Sequence, residues 1–390
     1  MSFPKMKLGE CAEIHSGSTP RTNNPDFWDG DITWVTPKDL SKLKSKFISK
    51  TESKITQLGF DSCSTKLLPE NSVLFSSRAP IGHVAINTIP MCTNQGFKSF
   101  VPKADLLDSQ YLYYWLKANK EYLQDLGVGA TFKEISKTVI ANVEIPLPPL
   151  AEQRRIASIL DQADELRQKR QQAIEKLDQL LQATFIDMFG NPISNPKGWE
   201  VGCIGDMLES VKYGSSDKAT LEGEIPILRM NNLTYSGEMD LRDLKYITKV
   251  QADEKYLVKE GDILFNRTNS KELVGKTAVY VGPEPMAYAG YLVRGRTKEN
   301  FAPEYISAFL NSPWGKEKLQ SMCKSIVGMA NINAKEFQSI VLPIPPENEQ
   351  MHFKARVLAI REKKQLLVNQ LNVFETLFKS LQNQAFNGTL

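Results

Sequence analysis

The chain has 390 residues, enough for two or three domains with proper cores. Hydrophobic content of 41% and charged content of 24% are ordinary for a globular protein, and no apolar run approaches the roughly 18 residues of a membrane span. The net charge is only +3, with 17 Lys/Arg against 15 Asp/Glu in residues 1–150, so any anion-binding surface must come from local clustering. Cys11, Cys63, Cys92, Cys203 and Cys323 are scattered and odd in number, and only His15, His83 and His352 are present. That usage weighs against a zinc site or a disulfide framework and points to reduced thiols. The polar start Met1-Ser2-Phe3-Pro4-Lys5 is no signal peptide, so a cytoplasmic location is expected.

In chain order, residues 1–145 read as a first domain, mixed and rich in strands and loops. Ser16-Gly17-Ser18-Thr19-Pro20-Arg21-Thr22-Asn23-Asn24-Pro25 is a turn-forming cluster. Strands are expected at Ile32-Thr33-Trp34-Val35, Val73-Leu74-Phe75 and His83-Val84-Ala85-Ile86, and a helix over 109–120, where Tyr111, Leu112, Trp115 and Leu116 recur at helical spacing.

Residues 146–190 are a helical spacer. It opens with Ile145-Pro146-Leu147-Pro148-Pro149-Leu150-Ala151-Glu152-Gln153, and its helix starts near Ala151, after prolines that a helix interior would reject. Ile156, Leu160, Ala163, Arg167, Arg170, Ile174, Leu177, Leu181, Thr184 and Met188 follow a 4-3-4-3 spacing, the period of a coiled-coil seam. Gly190-Asn191-Pro192 stops it.

Residues 191–342 form a second domain of the same kind. Ile225-Pro226-Ile227-Leu228 echoes the strand at Ile32, Gly261-Asp262-Ile263-Leu264-Phe265 echoes Asn71-Ser72-Val73-Leu74-Phe75, and Tyr305-Ile306-Ser307-Ala308 echoes the helix at Tyr111. Residues 343–390 repeat the spacer without a gap: Pro146 and Pro343, Gln153 and Gln350, and Phe189 and Phe386 all stand 197 apart. The second stripe is Phe353, Val357, Ile360, Lys364, Leu367, Leu371, Phe374, Phe378, Leu381 and Ala385, and Lys364 is the repeat partner of Arg167.

Two helices of about 55–60 Å exceed what a domain of this size can cover, so the stripes are expected to pack on each other. Only a short linker joins the first helix to the second domain, and a parallel pair would force the chain back along the full helix length. The fold class is therefore α+β: two mixed α/β domains in tandem, each followed by a long helix, with the helices paired as an antiparallel coiled coil of pseudo-twofold symmetry. Such a spacer suits the reading of two sites on one linear polymer, at least a helical turn of DNA apart, about 34 Å.

At this point the chain resembles the specificity subunits of type I restriction-modification systems, over essentially its whole length. The resemblance rests on the two proline-and-Glu-Gln signatures ahead of long helices, with Gly17-Ser18-Thr19-Pro20, Ser77-Arg78-Ala79-Pro80-Ile81-Gly82, Thr93-Asn94-Gln95-Gly96-Phe97, Leu228-Arg229-Met230-Asn231-Asn232 and Gly261-Asp262-Ile263-Leu264-Phe265-Asn266-Arg267. Pro346-Glu347-Asn348 departs from Pro149-Leu150-Ala151 in the second signature. The resemblance implies a non-catalytic subunit whose two target recognition domains each read half of a bipartite double-stranded DNA sequence. It implies that the helices set the spacing and dock adenine methyltransferase subunits, two of them, through which restriction subunits join. S-adenosylmethionine, ATP and Mg²⁺ would then sit on the partners, and no cofactor or metal on this chain.

Arg, Lys, Asn and Gln on loops can bond base edges, with Ser, Thr and Lys on phosphates. The candidates are Arg21, Thr36, Lys38, Ser77, Arg78, Asn94, Gln95 and Lys98 in the first domain, and Arg229, Asn231, Asn232, Asn266, Arg267, Asn269, Lys271 and Lys276 in the second. Each could equally be a turn former or cap. Arg167, Arg170 and Lys364, which interrupt the stripes, are candidates for partner binding, or else reach the seam edge with their charged ends.

Two alternatives remain. One is a coiled-coil scaffold that binds other proteins. The other is a nuclease, because Pro25-Asp26 with Glu52-Ser53-Lys54 formally matches a PD…ExK pattern that would hold Mg²⁺, although so short a pattern is frequent by chance. Gly275-Lys276-Thr277 lacks the first glycine of a phosphate loop, since residue 270 is Ser. No catalytic constellation stands out.

Overall fold

The computed structural model describes residues 3–129, 133–252, 254–326 and 329–390; Met1 and Ser2 of the polar start lie outside them. The chain divides into two compact units, residues 1–170 with 370–390, and residues 171–369. Each unit thus takes part of both long helices.

In the first unit a five-stranded sheet runs in the order Ala12–Ser16, Lys98–Pro102, Val73–Phe75, Val84–Asn87, Phe47–Ile48, antiparallel except at its last pair. A three-stranded sheet sets Trp28–Val35 between Ser53–Ile55 and a short parallel partner, Cys92–Thr93. The three expected strands are all present, the third starting one residue later than read. The helix Ser109–Ala118 packs its aromatic face, Tyr111, Tyr114 and Trp115, into the core with Val73, Phe75 and Phe100. Its first turn is closed by Asp108, whose carboxylate accepts from the backbone of Gln110 and Tyr111.

The second unit repeats the plan. An antiparallel sheet runs Leu208–Tyr213, Leu292–Thr297, Ile263–Asn266, Thr277–Val279, and a second one places Ile225–Leu228 beside a parallel partner, Met286–Tyr288. The helix Pro303–Asn311 stands where Ser109–Ala118 stands in the first unit. In both units a two-stranded ribbon ties the start of the domain to the strand before the spacer: Lys5–Lys7 to Glu144–Pro146, and Val201–Cys203 to Val341–Pro343.

The spacer helices are Leu150–Phe189 and Glu347–Asn387, of 40 and 41 residues, which at 1.5 Å per residue is about 60 Å each. Their starts keep the offset of 197, and Gly190 ends the first with φ +71 and its N–H on the Ile186 carbonyl, 2.8 Å. They pack antiparallel. In the first unit Arg167 and Arg170 lie over the rings of Phe378 and Phe374, at 5.1 and 5.8 Å. In the second unit Lys364 pairs with Asp178, and Phe353 packs on Phe185 and Phe189.

The seam is narrower than the sequence stripe implied. Near the helix starts the apolar residues belong to domain cores: Ile156 and Leu160 to the first unit, Phe353 and Val357 to the second. Phe185 and Phe189, one step off the expected stripe, are buried against Tyr305. A helix that must face both a partner helix and a globular core needs a wider apolar face than a strict 3.5-residue stripe.

The repeated prolines and glutamine have one architectural role in both units. Gln153 is fully buried; its Nε2 donates to the Pro148 and Leu106 carbonyls, 2.8 Å each, and its Oε1 accepts from the Asp108 N–H, 2.9 Å. Gln350 donates to the Pro345 carbonyl and accepts from the Ala302 N–H. The Tyr111 and Tyr305 hydroxyls donate to the carbonyls of Pro146 and Pro343, 2.7 Å in each case. A proline turn exposes carbonyls and offers no N–H in return, so a buried amide and a phenol are what its acceptors need.

Candidate nucleic-acid interface

In the first unit the loops at one sheet end are stitched together by the backbone. Gly17 and Ser18 N–H groups donate to the carbonyls of Phe97 and Thr93, Asn94 N–H to Val35, and Ser77 and Arg78 N–H groups to Gly96. Gly17 must be glycine here: a Cβ would stand 1.9 Å from the Asn94 carbonyl oxygen. The Thr19 hydroxyl meets the Gln95 side chain, and the Trp34 indole donates to the Ser18 carbonyl. Thr36 caps the helix Pro37–Ser41, and a Cβ at Gly96 would touch Pro37 and the Arg78 stem. The structure therefore brings Thr36, Arg78, Asn94 and Gln95 into one loop cluster.

The second unit builds the same crossing. Gly214 and Ser215 N–H groups donate to Leu292 and Tyr288, Ala289 N–H to Leu228, and Arg267 N–H to Tyr291. A Cβ at Gly214 would lie 2.3 Å from the Tyr288 and Ala289 carbonyls. Gly17 and Gly214 again stand 197 apart. By these matched hydrogen bonds Thr36 corresponds to Arg229, Lys38 to Asn231 and Ser77 to Arg267, so one frame carries different side chains.

Several predicted contacts are spent inside the loops. Ser77, Lys98, Asn232 and Asn266 are all buried. Ser77 donates to the Gly96 carbonyl, Lys98 pairs with Glu134 at 3.0 Å, and Asn232 ties its turn to the carbonyls of Asp240 and Asp243. Ser77, Lys98 and Asn232 are used within the loops, while the Asn266 amide is buried with neither Nδ2 nor Oδ1 hydrogen-bonded. Arg229 and Asn231 are tied to the Asp243 carboxylate at 3.0 and 2.8 Å. Arg267 lies over the Tyr213 ring at 5.0 Å and donates to the Gly290 carbonyl, 3.3 Å. Asn269 caps the Ser270 N–H, Lys276 donates to the Met230 carbonyl at 2.6 Å, and burial pushes its ammonium pKa down. Arg21, Gln95 and Lys271 are exposed.

Lys38 faces Glu52 at 2.9 Å, and Lys42 binds the same carboxylate. Those two lysines, Lys42 first, hold the Glu52 carboxyl down at about 2. Glu52 of the formal PD…ExK pattern is thus taken up by lysines, while Asp26 sits in the turn Pro25–Phe27 capped by Asn24. Among the described residues no group of three His, Cys, Asp or Glu is placed to hold a metal ion. The charges in the helix seam are paired as well: Arg167 with Asp164 at 2.7 Å and, more distantly, with Glu375, and Lys364 with Asp178.

The family model for the type I restriction modification DNA specificity domain matches residues 2–176 and again 196–374, one copy per tandem half. The chain belongs to this family. A relative named type I restriction enzyme MjaIX specificity subunit, from Methanocaldococcus jannaschii, is 30% identical over 387 residues, covering 93% of this chain and 88% of its own length. The EcoKI specificity subunit of Escherichia coli K12 is 25% identical, covering 84% of this chain and 76% of its own. A solved type I restriction-modification S subunit from M. genitalium matches the fold with a TM-score of 0.60 at 15% identity, over 99% of this chain and 96% of that one.

The chain is thus a DNA specificity subunit with two tandem recognition domains. Of the glycines at the centre of the two crossings, the sequence reading names Gly17 only as part of the Gly17-Ser18-Thr19-Pro20 motif and passes over Gly214. The signal was present, since Gly17 and Gly214 keep the spacer offset inside domains that otherwise drift out of register. It also missed Tyr213 and Asp243, which position Arg267, Arg229 and Asn231 and carry no local signature of that role. Among the described residues no helix is long and apolar enough to cross a membrane.

Proposed function

We propose that each loop cluster reads one half of an asymmetric, interrupted double-stranded DNA target, and that the paired helices fix the spacing between the halves. The observation that carries this is the duplicated loop crossing with unlike side chains, Thr36, Lys38 and Ser77 against Arg229, Asn231 and Arg267. Identical clusters would favour a symmetric target; these do not match in charge, length or hydrogen-bonding pattern. In the first cluster Arg21, Arg78, Asn94 and Gln95 are the readers, and in the second Arg267, Asn269 and Lys271, with Lys276 and Lys38 on phosphates.

The outward polar faces of the spacer helices dock two adenine methyltransferase subunits, through which restriction subunits join. Arg167 and Lys364 act instead in the seam, paired with Asp164 and Asp178, and Arg170 lies there over the Phe374 ring. The chain contributes no catalytic chemistry; S-adenosylmethionine, ATP and Mg²⁺ belong to the partners, and the complex works in the cytoplasm. DNA binding weakens steeply with salt if phosphates carry most of the affinity.

Register along the seam makes the ruler testable. Lengthening both helices by one heptad, after Ala173 and after Asn369, keeps seam residues facing each other. The expected result is a longer unspecified gap with both half-sites unchanged. An unaltered gap in a folded variant would reject the ruler.

A further inference from the structure

The second unit contains a cleft that the first unit fills. It lies between the helix Pro303–Asn311 and both spacer helices, with an enclosed part of about 50 Å³ opening to one side, and Leu181, Phe185, Ala308 and Trp314 form its apolar wall. Four of its polar atoms are unused. Glu304 is 4% exposed and its Oε2 has no hydrogen-bond partner; Asn311 Oδ1 and the Nε and Nη1 atoms of Arg361 are likewise buried and unpartnered. Arg361 is ion-paired to Glu238, Nε to Oε1 at 3.5 Å, without hydrogen-bond geometry. Buried polar atoms are rarely left so, and four around one cleft call for an occupant.

The first unit shows what fills the equivalent space. Matching Tyr111 to Tyr305 sets Gln110 at the place of Glu304, Tyr113 at Ser307, Tyr114 at Ala308 and, through the helix repeat, Phe378 at Leu181. There the Tyr114 ring packs on Phe378 and its hydroxyl bonds Asp161 at 2.5 Å, while the Gln110 amide accepts from Lys46. In the second unit the two tyrosines have become Ser307 and Ala308, and the Lys46 contact has no counterpart on Glu304 Oε2. An aromatic body and a donor to the acidic position have both been removed.

We propose that this cleft binds a small planar molecule through an edge that donates and accepts hydrogen bonds side by side, the chemistry of primary aromatic amides and amino-substituted heterocycles. The N–H groups of such an edge suit Glu304 and Asn311, and its acceptor suits Arg361. The enclosed space takes that polar edge, and the ring lies along Leu181, Phe185 and Trp314. A purely apolar guest would leave the four polar atoms unsatisfied, and a carboxylate would face Glu304.

Ligand-observed NMR on the full chain with benzamide, benzoate and toluene tests this. Benzamide should bind saturably and at least about tenfold more tightly than either analogue, since a site built on hydrogen bonds rejects a guest that cannot make them. Ala308→Tyr, which restores the residue of the first unit, should abolish binding while leaving the melting transition in place. Equal binding of benzamide and toluene, absence of saturable binding, or benzamide binding unchanged in a folded A308Y protein would each overturn the proposal. Should A308Y not fold, the three-ligand comparison on the unaltered chain decides alone.

Discussion

Gln153→Ala should lower the stability of the first unit by about 3–5 kcal/mol, more than most single substitutions achieve. The side chain is fully buried and makes three hydrogen bonds, two to carbonyls and one from the N–H of Asp108. Alanine takes the bond from all three partners, at about 1–3 kcal/mol for each group left unsatisfied, and leaves a void besides. Gln153→Glu should be no better, because a carboxylate cannot donate to the Pro148 and Leu106 carbonyls. Gln350→Ala should act in the same direction on the second unit but more weakly, since two such bonds are present there. Urea unfolding of the full chain, followed by proteolysis that reports each half, measures both effects. A loss under about 1 kcal/mol for Gln153→Ala would mean that the proline turn is held by something other than this amide.

The second large effect is expected at Gly17. Its missing Cβ lets the 17–21 loop cross the Thr93-Asn94 backbone, where an added methyl would meet a carbonyl oxygen at 1.9 Å. A backbone oxygen cannot swing aside as a flexible side chain can, so Gly17→Ala must displace either the 17–21 loop or the 93–97 loop. The displaced loops carry Arg21, Asn94 and Gln95, and the stability cost of such overpacking is about 1–3 kcal/mol. DNA affinity should fall by at least about tenfold, 1.4 kcal/mol. Gly214→Ala should do the same through the second half-site. Electrophoretic mobility shifts on the cognate duplex read both, and undiminished binding by a folded Gly17→Ala protein would remove this loop cluster from the interface.

Much of the architecture was legible because the spacer is written twice. An ungapped offset of 197 over forty residues fixes helix starts, ends and stripe, and short linkers leave an antiparallel pairing as the economical route. The role of Gln153 and Gln350 was not legible, since their partners lie more than forty residues upstream in sequence, at Asp108, Leu106 and Ala302. The seam at Phe185 and Phe189 was misread for a related reason: periodicity shows that a face is apolar, and only the folded domain shows which neighbour claims it. The loop clusters were the least legible part. Ser77, Asn232 and Asn266 have the right chemistry for bases, yet the first two are bonded within their turns and the third is buried. Arg267 kept its place as a candidate reader because Tyr213, fifty-four residues earlier, supports its guanidinium.

The central claim, that two unlike loop clusters on one repeated frame read two unlike half-sites, is tested most directly by mapping methylated adenines across the genome of cells carrying this chain with its methyltransferase partner. The account predicts one motif made of two different specific halves separated by a fixed unspecified gap. A single uninterrupted palindrome would contradict it.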